Sequence, residues 1–103
     1  MKTHELVGAD LNEAVAKCEG IVHTRYKRQV VDQGGNPLMY DDDWSLAGEI
    51  IERERLLIQP EIGKEGAGNA WSAIAITGFE EFGATPLIAA MRCYVASKQG
   101  EMT

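Results

Sequence analysis

Along the 103-residue chain, two stretches repeat apolar residues at the 3.6-residue helical period. In the first, Leu11, Ala14, Val15 and Cys18 fall at i, i+3, i+4 and i+7, which predicts a helix from about Ala9 to Glu19. Asp10 and Glu13 sit where the helix dipole is positive, Lys17 sits near its negative end, and Gly20 ends the segment. The second stretch, Thr85 to Gly100, is the one around which the rest is organised. Thr85 is placed to cap, Pro86 suits a first helical position that needs no N–H partner, and Gly100 reads as a left-handed stop. Leu87, Ile88, Met91, Tyr94 and Val95 recur at helical spacing, with Ala89, Ala90, Cys93 and Ala96 keeping the flanks small. Arg92, Ser97, Lys98 and Gln99 are its wet residues, so this helix is expected in the core.

Between the helices the period shortens to two. Ile21 to Val31 reads as one strand, with Val22, Thr24, Tyr26 and Val30 on a dry face and His23, Arg25, Lys27 and Gln29 on a wet one. Asp32 to Pro37 is a turn, and Leu38 to Tyr40 is expected to pair back as a short second strand. Asp43 can cap a short helix through Ala47 that Gly48 breaks, and Glu49 to Arg55 fits either helix or strand. Arg55 to Pro60 reads as a strand with Leu56 and Ile58 opposite Leu57, followed by a glycine-rich loop from Ile62 to Asn69. Ala70 to Thr77 has no polar face, which marks a central strand, and its alanines leave room for a close helix. Gly78 to Ala84 turns the chain, tucking Phe79 and Phe82 under the last helix. The predicted fold is α+β: an antiparallel sheet of three to four strands packed by an N-terminal and a C-terminal helix.

Length, 45% hydrophobic and 25% charged residues fit one soluble domain over residues 1–103. A net charge of −6 opposes binding of phosphate backbones over the whole surface, because that affinity comes from clustered cations releasing counterions. There is no apolar run long enough for a membrane span and no apolar N-terminal stretch of the secretory kind, so a cytoplasmic protein is expected. Cys18 and Cys93 lie on apolar helix positions and are read as buried reduced thiols.

Candidate chemistry is sparse. His4, His23, Cys18 and Cys93 lack the spacing of a zinc set, and Asp41, Asp42 and Asp43 lack the alternation and terminal Glu of a calcium loop. Cys93 has no His held beside it as a base, and Glu49, Glu52 and Glu54 alternate with Arg53 and Arg55 as surface ion pairs do. The glycine-rich pieces match no phosphate-binding pattern. No catalytic residue, metal or cofactor is therefore assigned, and a small enzyme would need a polar cleft that the pattern does not foreshadow. Two surface readings remain. Trp44 beside acidic residues resembles an interface anchor, giving a candidate surface of Arg25, Lys27, Tyr40, Asp43 and Trp44, although a core position for Trp44 weighs more. Alternatively Arg25, Lys27 and Arg28 could contact nucleic acid if they joined Arg53 and Arg55 in one patch. A second helix offering only Arg92 and Lys98 sets the chain apart from double-stranded RNA-binding domains, so nucleic acid is not the expected partner.

Three blocks, MKTHELVGADLNEAVAKCEG, DWSLAGEIIERE and TPLIAAMRCYVASKQG, resemble in order and spacing the NinX-like family of small tailed-bacteriophage proteins, found also in prophages. The resemblance implies an accessory role in a bacterial host cell, without assigned catalytic residues, and the layout also resembles a phage domain described as a helix–sheet–helix sandwich, with helices on both faces of the sheet. At Glu49 the chain departs from the Pro of that middle block. The combined expectation is a non-enzymatic phage or prophage protein that binds a host or phage protein, with no membrane and with a homodimer left open.

Overall fold

The computed structural model describes residues 3–63 and 69–102. A 3-10 turn, Thr3–Glu5, leads into α1, Gly8–Cys18. Strands β1, His23–Tyr26, and β2, Gln29–Asp32, form an antiparallel hairpin. Helix α2, Trp44–Glu54, precedes β3, Leu57–Pro60, β4, Trp71–Ile74, and β5, Glu80–Gly83, and α3, Pro86–Met102, follows. The fold is α+β with N- and C-terminal helices, but its strands divide into a two-stranded sheet and a three-stranded sheet ordered β3-β4-β5. The layering also has its own order. Helix α3 packs on all three strands of the larger sheet and also on α1 and α2, while the hairpin packs on α1.

The start of α3 follows its local signals, with the Thr85 hydroxyl accepting the Ile88 N–H at 3.2 Å. Ala89, Ala90, Met91, Cys93 and Val95 are fully buried because α3 is covered on more than one side. Gly100 is not the stop, since the helix runs on to Met102. The Phe79 ring occupies the space that a Gly100 side chain would need, so this glycine serves packing. Arg92 and Ser97, expected to be wet, are half-buried and buried. The Arg92 guanidinium donates to the Leu6 and Phe82 carbonyls at 2.8 Å each, joining the segment before α1 to β5.

Strand β4 is central, and Ala73 and Gly83 lie on the face that meets α3. Alternation then sends Phe82 to the opposite face, not under the last helix. The turn expected over Gly78 to Ala84 contains β5, which begins at Glu80. Most of the loop expected between Ile62 and Asn69 lies outside the described residues.

Two further segments differ from expectation. The single strand from Ile21 to Val31 is broken at Lys27-Arg28, where Lys27 takes φ 58° and Tyr26 pairs with Gln29. Leu38 does return, its N–H donating to the Val30 carbonyl at 2.8 Å, with a bridge between Val31 and Pro37. Asp43 caps α2 as expected, accepting the Ser45 N–H at 2.9 Å, but Gly48 does not break the helix. With Glu49 in place of a proline the backbone bonds continue to Glu54, and Arg55 closes the helix at φ 55°.

Candidate functional site

The hairpin turn reassigns the faces of its strands. A two-residue loop pairs Arg25 with Val30, so both lie on the face with His23, and Val30 is buried there. That face meets α1. Arg25 Nη1 contacts Asp10 Oδ1 at 2.6 Å and Glu13 Oε1 at 3.3 Å, while His23 Nε2 sits 3.3 Å from Glu13 Oε2. Burial opposes ionisation of Glu13, but the bonds from Arg25 and His23 outweigh it and hold the carboxyl below its ordinary range. Arg25 is thus engaged with α1. Lys27 and Arg28 occupy the exposed turn and have no carboxylate partner among the described residues.

The second group of cations is engaged as well. Arg53 spans Glu19 with contacts of 2.6 and 3.2 Å and reaches Glu54 at 3.0 Å. The Tyr94 hydroxyl donates to the same Glu19 carboxylate, Lys98 meets Glu54 at 3.4 Å, and Arg53 and Lys98 each stand 5.8 Å from the Tyr94 ring centre. Burial pushes the Tyr94 hydroxyl pKa up, and the adjacent Glu19 carboxylate adds to the shift. This network fastens the ends of α1 and α2 to α3. Arg25 and Arg53 are therefore each tied to carboxylates of the chain itself.

Burial pushes the Cys93 thiol up to about 11, and its hydrogen goes to the Phe79 carbonyl at 3.3 Å. Among the described residues, three or more His, Cys, Asp or Glu side chains do not gather where a metal could sit. A groove of about 440 Å³ runs along α1 past Asp10, Glu13, Lys17 and Cys18, with Arg25 of β1, Leu6 and Gln99 of α3 also in its walls. Its Asp10 and Glu13 carboxylates are already bonded to Arg25.

The residues of the expected contact surface separate. Tyr40 is 3% exposed and belongs to the core, a correction to its assignment as a surface residue. Asp43 is the α2 cap, its carboxyl held low by the Ser45 hydroxyl and amide. Trp44 is 56% exposed, so it is not the core residue that composition favoured. Tyr26, expected with Val22 on a dry face, is 71% exposed as Val22 is at 65%, and Met39 is exposed at 45%. Tyr26 and Met39 line a groove of about 360 Å³ with Asn12, Arg28 and Asp41, floored by Val30 and Leu38. Recognising Lys27-Arg28 as a hairpin turn would have placed Tyr26 on the outer face, but neither residue is a usual turn former.

The family model described as Bacteriophage P22, NinX matches residues 2–98 of the chain. No curated protein matches it.

Proposed function

The chain belongs to the bacteriophage P22 NinX family, and from that premise we propose that this phage accessory protein is non-enzymatic and acts by binding a protein of the phage or of its host. One observation carries the reading: Trp44 stands exposed at the start of α2 while Arg25 and Arg53 are held by carboxylates of the chain itself. An exposed indole on a rigid helix is the usual anchor of a protein interface, whereas cations already paired offer little to phosphate. The site of action is the interior of the infected bacterium. No described helix is long and apolar enough to cross a membrane.

The test is affinity capture with the tagged full chain from phage-infected cells, with nuclease added to the lysate, followed by reconstitution with the purified partner. The expected result is a protein retained in fixed ratio after nuclease treatment. Capture that disappears with nuclease would replace this reading by nucleic-acid binding.

A further inference from the structure

We infer that the outward face of α2, built on Trp44 and Gly48 and edged by Asp42, Glu49 and Glu52, is the docking site for a lysine- and arginine-rich segment of the partner protein. The inference rests on the protein-binding reading above and says where and with what chemistry that binding occurs.

Gly48 is the starting observation. Glycine is the poorest helix residue after proline, so one inside a helix needs a reason. Gly100, inside α3, has its reason, because a Cβ there would collide with the Phe79 ring. Gly48 has none among the described residues. Its φ is not positive, and a Cβ there would meet nothing within 4 Å. At about 100° per residue, Trp44 and Gly48 lie on adjacent turns of one side, with Ser45, Glu49 and Glu52 beside them. Ser45, Glu49 and Glu52 are exposed, while Ala47 and Ile50 on the opposite side are buried. An exposed indole thus lies one turn from a glycine whose Cβ position is open, a notch into which another chain can come close.

Charge selects the occupant. Asp10, Glu13, Glu19 and Glu54 all have cationic partners. Asp41, Asp42, Glu49 and Glu52 have none among the described residues. Those four lie close to Trp44 in sequence, and the indole face is itself attractive to Lys or Arg. A basic segment satisfies both. A second copy of the chain would set acidic face against acidic face, which like-charge repulsion disfavours.

The test is photo-crosslinking in phage-infected cells with benzoylphenylalanine placed in the full chain at Ser45, on this face, or at Leu57, which is 56% exposed on β3. The expected result is an adduct from position 45 and none from 57, with the crosslinked partner peptide rich in Lys and Arg. Glu49→Lys with Glu52→Lys should lower the yield by about tenfold, the scale of losing close charge pairs. Gly48→Leu should also remove the adduct, because it fills the notch, while its melting temperature stays at or above that of the parent. An adduct from position 57 alone would leave the protein-binding reading standing and overturn this site. Adducts to a second copy, or to a neutral or acidic segment, would overturn the basic partner, as would a yield unchanged in the Lys variants. No adduct from either position would overturn this site, and affinity capture of a protein by the same chain would then leave the protein-binding reading standing while its loss would sink that reading as well.

Discussion

Gly83 in β5 lies so close to Ala89 in α3 that a Cβ on it would stand 2.6 Å from the Ala89 backbone nitrogen. That approach lets α3 sit directly on the larger sheet, where Ala73 is fully buried. Gly83→Ala should therefore force the helix and strand apart. Overpacking of this kind costs about 1–3 kcal/mol, a large share of the roughly 5–15 kcal/mol typical of a domain. Urea unfolding checks it: the midpoint should fall with an unchanged slope, and a midpoint equal to the parent would show that the contact relaxes freely.

A second prediction concerns acid. Burial works against the Glu19 carboxylate, but the bonds from Arg53 and Tyr94 prevail and lower its pKa below 4.5. A carboxylate depressed by folding contributes stability that is present above its unfolded value and is lost as pH falls through the folded one. Stability should thus decline below about pH 4.5. In Glu19→Gln this part of the decline should be missing, and Tyr94→Phe, which removes one donor, should move its midpoint upward. Chemical denaturation at a series of pH values reads both effects, and an acid limb identical in Glu19→Gln would remove Glu19 as its source.

How much of this was legible depended on whether a residue's meaning was local. Thr85 and Pro86 announced α3 because capping and a fixed φ are properties of the residue and its immediate neighbours. Gly48 and Gly100 were both read as helix ends, and neither is one. Their roles depend on what lies across from them: the Phe79 ring at Gly100 and open space at Gly48. The hairpin turn had the largest consequence. Lys27 adopts a left-handed φ of 58° without being Gly or Asn, and the alternation of the two arms concealed the reversal. With one strand assumed, Val30 shared a face with Tyr26 and left Arg25 wet. With two arms, Val30 joins Arg25 against α1 and Tyr26 faces outward. The candidate surface consequently kept Trp44 and lost Tyr40 to the core.

The two free thiols should separate in reactivity. Cys93 is fully buried, and burial raises its pKa to about 11, so very little thiolate exists at neutral pH. Cys18 is half-buried and lines the groove along α1. A chromogenic disulfide reagent at pH 8 should modify Cys18 in the native protein and Cys93 on unfolding. Rapid titration of both in native buffer would contradict the packing around α3.

The last prediction bears on nucleic acid. Binding to a phosphate backbone needs cations that can give up their present partners for phosphate, and Arg25 would have to leave Asp10 and Glu13 to do so. Arg53 is held in the same way by Glu19 and Glu54. Lys27 and Arg28 at the hairpin turn are the cations nearest to free in that cluster, and they stand on a chain with net charge −6. Two phosphate contacts would give a slope of only about −1.8 in a plot of log affinity against log salt, so any binding should vanish near physiological ionic strength. Fluorescence anisotropy with duplex DNA and duplex RNA should show no saturation at micromolar protein in about 150 mM salt. Lys27→Glu with Arg28→Glu should change nothing in that buffer. Binding tighter than about 1 μM there, lost in that double variant, would mean that the hairpin turn is a phosphate site and that the charge of the whole chain had misled.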